Sequence, residues 1–236
     1  MTPLARRCGA EFLGSAFLIA VVIGSGIMAT TLTDNVALQL LCNTAATAGG
    51  LVALISAFGP VSGAHFNPVV TIADRVFGGM TTREVLPYIA AQVLGMFVGV
   101  MTANLMFGLS AIDVSTKTRT GGGIWLGEIV ATLGLLLVIF GIVRSGRGSL
   151  APFVVAGYIA AAYFFTSSTS FANPAITLGR SLSNSFAGIA PSSVPGFLIA
   201  QFVGLAVALV AITAIFPDID EFADDVLMLH DEGDRP

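Results

Sequence analysis

His65-Phe66-Asn67-Pro68-Val69-Val70-Thr71 and Ser170-Phe171-Ala172-Asn173-Pro174-Ala175-Ile176-Thr177 are the two stretches on which the fold turns. In each, an asparagine stands before a proline and a short apolar run. Asn is a favoured helix N-cap, and Pro suits the first helical position, where its missing N–H is not needed. Each stretch therefore starts a helix. Each runs about ten residues before a polar or Gly-rich exit, which is about 15 Å of helix and half the thickness of a bilayer's hydrocarbon. The sequence predicts two half-helices.

Around them lie six apolar stretches long enough to cross a membrane, residues 9–31, 36–58, 86–109, 124–143, 151–165 and 194–216. The first follows Arg6 and Arg7 as a signal peptide's core would, but it is too long and more spans come after it. Composition agrees with lipid as the solvent. Hydrophobic residues make up 55% of the chain and charged ones 10%, against about 25% charged in soluble domains. Mean hydropathy is +0.90. The net charge of −4 arises from acids crowded into residues 217–236, which read as a solvated cytosolic tail. Two cysteines, Cys8 and Cys42, exclude a disulfide framework, and Cys42 reads as a small packing residue of the core.

The two halves match. Ala91-Gln92-Val93-Leu94-Gly95 pairs with Ala200-Gln201-Phe202-Val203-Gly204, and Glu11 near the start of the first span pairs with Glu128 near the start of the fourth. The repeats cover about 9–109 and 124–216, within one domain of residues 1–236. Each holds three spans, an odd number, so the second copy is inserted upside down. Interrupted helices at matching places in inverted halves mark a transport site. With both termini inside, Arg6, Arg7, Arg75, Arg83, Arg144, Arg147 and Arg235 are cytosolic, and Lys117, Arg119 and Arg180 are outside. That seven-to-three split follows the positive-inside rule and puts both termini of a multi-pass protein of the cell (inner) membrane in the cytoplasm.

Two Asn-Pro-Ala-type boxes in inverted repeats, the Ser62-Gly63-Ala64-His65 lead-in, both Ala-Gln-x-x-Gly signatures and both early glutamates resemble the aquaporin and glycerol-facilitator family, from Glu11 to about Phe216. The resemblance implies an all-α membrane fold of six transmembrane helices and two half-helices. It implies a homotetramer with a pore in each subunit. It puts Asn67, Asn173, Val69 and Ala175 at the pore midplane. There the half-helix dipoles place partial positive charge, and the Asn amides offer donors to a passing oxygen. Glu11 and Glu128 would hold the loops that carry the boxes, as a buried acid in a membrane needs partners. His65 would hold its loop as well, or line the pore or gate it.

The sequence departs from the family at the outer selectivity filter. Where familiar members carry an arginine after the second box, this chain has Ile176, and the first box ends in Val69 instead of Ala. An ungapped match assigns Thr47, Ala161, Ser170 and Ile176 to the filter, with no aromatic and no charge. The alternative is that Tyr163 or Phe164 swings in and restores a constriction. Arg180 lies one turn beyond Ile176, in the outer vestibule. It either gathers oxygen-rich or anionic solutes and repels cations or snorkels to loop carbonyls and lipid. This combination resembles a bacterial branch linked to arsenic handling. It implies passage of small uncharged solutes, above all arsenite as neutral As(OH)₃ and related polyols, with some water; a general glycerol and water facilitator is the alternative.

No phosphate loop, metal-ligand cluster or nucleophile–base pair occurs, so the sequence gives no reason to expect an enzyme, a cofactor, a metal site or a nucleic-acid partner. Two rivals are left. A coupled transporter also uses inverted repeats, but needs intramembrane ionisable groups, for which only Glu11 and Glu128 offer themselves. A structural membrane protein would have a closed pore.

Overall fold

The computed structural model describes residues 3–219. All of its regular structure is helical: α1 (Leu4–Leu32), α2 (Val36–Ser62), α3 (Pro68–Val76), α4 (Thr82–Met106), α5 (Gly122–Arg144), α6 (Ala151–Phe165), α7 (Pro174–Arg180) and α8 (Val194–Ile215). Six helices, α3 and α7 excluded and α6 and α8 taken with the short turns that lead into them from Gly148 and Pro191, are long and apolar enough to cross a membrane. The two half-helices are α3 and α7. Their caps are those expected: Asn67 Oδ1 accepts from Val69 N, and Asn173 Oδ1 accepts from Ala175 N and Ile176 N.

The repeats pack alike. In the first, α1 lies along α4, and in the second, α5 lies along α8. Gly95 and Gly99 allow the first contact, because a Cβ at either would strike the backbone of Phe12 or Ala16 on α1. Gly204 does the same in the second repeat, where a Cβ would sit 2.8 Å from Ile129 O on α5. Close approach through small residues is how helices associate when lipid supplies no hydrophobic drive. The outward faces are apolar, with Phe17, Leu86, Phe153, Ile199 and Val210 all more than half exposed. Cys42 belongs with them: it is exposed on α2 and is not a core residue.

At the face carrying the termini, Arg144 holds Asp218 through two hydrogen bonds of 2.6 and 2.8 Å. The expected solvated tail otherwise falls on residues 220–236, outside the described residues.

Candidate functional site: a cavity between crossed half-helices

The two half-helices meet end to end inside the bundle. Asn67 Nδ2 donates to Ala172 O at 2.8 Å, and Asn173 Nδ2 donates to Phe66 O at 2.8 Å. Each box is thus bonded to the carbonyl just ahead of the other. Phe66 and Ala172 hold those carbonyls with φ of 48° and 48°, a left-handed backbone rare for residues with a side chain. The strain persists because the loops are tied down from behind.

Glu11 ties the first loop. Its carboxylate accepts from Ser62 Oγ, His65 N, Phe66 N and Gln92 Nε2 at 2.7–3.0 Å. Glu128 ties the second, accepting from Phe171 N, Ala172 N and Gln201 Nε2 at 2.7–2.9 Å. Both acids are fully buried. Gln92 and Gln201 are anchors whose role the sequence reading did not assign. Each also donates to the box threonine, Thr71 or Thr177, at 2.9 Å. Their signal was present in the repeated Ala-Gln-x-x-Gly, which marks the duplication and the family resemblance without assigning the glutamine a role.

A cavity of about 300 Å³ runs past this junction. It reaches from Gly148, Ser149 and Pro152 near the termini face to Arg180 at the far face, and Asn67 and Asn173 both border it. One N–H of each amide is used in the crossed bonds, which leaves a second donor for the cavity. Val70 and Ile176 line it, one on each half-helix. Val69 and Ala175 do not: both are fully buried, packed into the protein behind the cavity. The midplane assignment of these two is corrected. In a helix the side chain three residues after the Asn shares its face, and the one two residues after points away.

His65 borders the cavity and holds its loop, its Nδ1 lying 3.1 Å from Thr71 Oγ1 and its Nε2 3.8 Å from Asp74 Oδ2.

The far end differs from the expected neutral ring. Thr47, Ser170 and Ile176, expected at the filter, line the cavity. Ala161 does not; it is exposed on the outer face of α6. Ile159 and Tyr163 line the cavity instead, four residues apart on the opposite face of that helix. Tyr163 Oη lies 3.3 Å from Thr47 Oγ1, so an aromatic does close in, while Phe164 stays outside, 53% exposed. Charge also returns. Arg180 is 2% exposed and borders the cavity. Its Nε donates to Ala187 O, and its guanidinium carbon lies 3.4 Å from the centre of the Phe171 ring. Reaching the cavity and bonding a loop carbonyl are therefore not alternatives; Arg180 does both.

Two further cations brace this mouth. Arg119 donates to Gly188 O and Phe186 O, and Lys117 Nζ donates to Phe186 O at 2.7 Å. Lost hydration, aided by the charges of Arg119 and Arg180, lowers the Lys117 ammonium to about 8. Burial lowers Arg119 to about 10.

The half-helices, the crossed asparagines and the cavity they border define a membrane channel, and comparison with known proteins agrees. The family described as "MIP: Major intrinsic protein" matches residues 1–172, and the chain belongs to it. The match ends one residue before the second box. Among its relatives, aquaglyceroporin AqpS of Rhizobium meliloti (strain 1021) is 50% identical over 206 residues, which are 87% of this chain and 88% of AqpS. Aquaporin AqpM of Methanothermobacter thermautotrophicus is 33% identical over 80% of this chain and 87% of its own. The X-ray structure of the aquaglyceroporin from Plasmodium falciparum superposes with a TM-score of 0.69 at 22% identity, covering 93% of this chain and all of that one. The chain is thus an aquaporin-family channel and not an enzyme.

Proposed function

We propose that the channel passes small uncharged solutes carrying several hydroxyls: glycerol-sized polyols, and metalloid hydroxides such as As(OH)₃, which share their size and hydroxyl pattern. Water accompanies them. One observation carries this reading. The far end of the cavity combines polar groups, of Thr47, Tyr163, Ser170 and Arg180, with apolar ones, of Phe171 and Ile176. A polyol can turn its hydroxyls to the first set and its carbons to the second. Ser170 Oγ is buried without a partner, so a passing hydroxyl would satisfy it. The name of the relative AqpS is consistent with polyols. Asn67 and Asn173 would then take the solute's oxygen lone pairs at the midplane, and Arg180 would repel cations.

Stopped-flow swelling of proteoliposomes with water, glycerol, urea and arsenite tests this directly. Glycerol and arsenite should enter well above the rate of bare lipid. Passage of water alone would overturn the reading, and saturable uptake driven by a proton gradient would favour a coupled transporter.

We also infer assembly into a homotetramer in the cell membrane with both termini cytoplasmic. Supporting it, α2 presents an exposed face of small residues, Cys42, Ala45, Gly49 and Ala53, suited to close helix contact. Disulfide cross-linking through Cys42 in native membranes checks the contact.

A further inference from the structure

The far mouth holds donors that its own contacts leave unused. Only Nε of Arg180 is bonded, to Ala187 O, and its two Nη nitrogens have no partner among the described residues and remain open to the cavity. Phe171 covers one face of the guanidinium, and Arg119 Cζ lies 5.2 Å from the same ring. None of Arg180, Arg119 and Lys117 has a carboxylate within ion-pair distance among the described residues. Glu128 lies nearby, but its oxygens are occupied by Phe171 N, Ala172 N and Gln201 Nε2. A buried guanidinium with an open fork is matched best by an acceptor with two oxygens and a negative charge.

Such an acceptor could bind but not proceed. Inward of Arg180, the Thr47–Tyr163 pair narrows the way, and the walls beyond are Val22, Leu51 and Ile159. Among the described residues no further cation borders the cavity. An anion would leave its counter-charge and much of its hydration on crossing this apolar stretch, before it reached the Asn67 and Asn173 amides.

We propose that the open Nη fork of Arg180, beside the unpartnered Ser170 hydroxyl and flanked by Arg119, is a binding site for small singly charged oxyanions, and that its occupancy blocks the passage of neutral solutes. The blocking half rests on the cavity being the solute path. The ligand class is a carboxylate, sulfonate or nitrate; the probe is methanesulfonate, with dimethyl sulfone as its uncharged analogue.

Glycerol flux is measured in proteoliposomes with probe, analogue or chloride on both sides at equal osmolarity. Methanesulfonate at about 10 mM should lower glycerol flux about twofold or more, as a millimolar site requires. Dimethyl sulfone and chloride should not. Arg180→Gln should abolish the block, and Arg180→Lys should keep part of it. Because Arg180 also bonds Ala187 O, its variants can misfold. Calorimetric titration of methanesulfonate into the wild-type protein therefore stands beside them. No binding, or equal flux under methanesulfonate and dimethyl sulfone, overturns the proposal. Binding without block overturns its blocking half. Absence of all glycerol flux sinks the channel reading instead, while the titration still decides the anion site.

Discussion

The two half-helices are built alike and finished differently. The offset that takes Asn67 to Asn173 takes His65 to Phe171 and Asp74 to Arg180. In the first repeat His65 stands 3.8 Å from Asp74, with its ring 5.6 Å from that of Tyr88. In the second, Phe171 lies under Arg180, with its ring 4.8 Å from that of Phe197. The supports of the boxes are shared: a glutamate, a glutamine, a threonine and a crossed asparagine in each. The charge bordering the cavity is not. Asp74 is fully buried and does not border the cavity, whereas Arg180 does. Duplication supplies the scaffold twice, and the residues around each loop then give the two mouths opposite character. The termini-side mouth, of Gly148, Ser149 and Pro152, has neutral walls; the far mouth is cationic and half-aromatic.

Breaking the shared part should cost most. Glu11→Ala removes the acceptor of four donors and Glu128→Ala of three. Each donor left buried and unpaired costs about 1–3 kcal/mol. Both variants should lose several kcal/mol, and Glu11→Ala should be the less stable in thermal unfolding of detergent-purified protein. Equal melting temperatures to wild type would mean the carboxylates do not hold the loops.

Next in size is a cation placed on the cavity wall. Ile176→Arg puts a charge about 5 Å from passing solute, worth about 3 kcal/mol against a cation at an effective dielectric of 20, and adds bulk. Glycerol flux should fall by more than tenfold while some water flow persists. Val70→Arg, at the matching place in the first repeat, should do the same, because both side chains line one cavity.

Charge at the far mouth should matter less, since Arg119 remains. Arg180→Ala should raise cation leak a few-fold in folded protein, measured by pH-dye or ion-flux assay. Asp74→Asn should leave it unchanged. A similar leak from both would erase the proposed difference between the mouths.

Smallest is Tyr163→Phe, which removes the hydroxyl contact with Thr47, worth about 1 kcal/mol. The ratio of glycerol to water permeability should shift several-fold, without loss of either.

What the sequence made legible was whatever is local or repeated. Asn-Pro pairs declared the half-helices because capping and φ are set within a few residues. Glu11 and Glu128 stood out because a membrane core tolerates few acids. What it hid depended on rotation and reach. Counting back from Asn173 to α6 crosses Thr169, Ser170 and Ala172, all at positive φ, and no spacing rule carries through such a loop. At about 100° of rotation per residue, a two-residue error turns Ala161 away from the cavity and Tyr163 toward it. Val69 and Ala175 were chosen for belonging to the box and not for their helical face. The reach of Arg180 was open in the sequence because a long side chain can satisfy both a loop carbonyl and a cavity wall.

The account stands on the cavity between the half-helices being the route of the solute. The most direct measurement pairs two tryptophans. Ile176→Trp fills the cavity wall, and Ala161→Trp adds the same bulk to the outer face of α6. Glycerol flux into proteoliposomes should fall to the bare-lipid rate for Ile176→Trp and match wild type for Ala161→Trp. Unimpaired flux through folded Ile176→Trp, or block by Ala161→Trp, would contradict it.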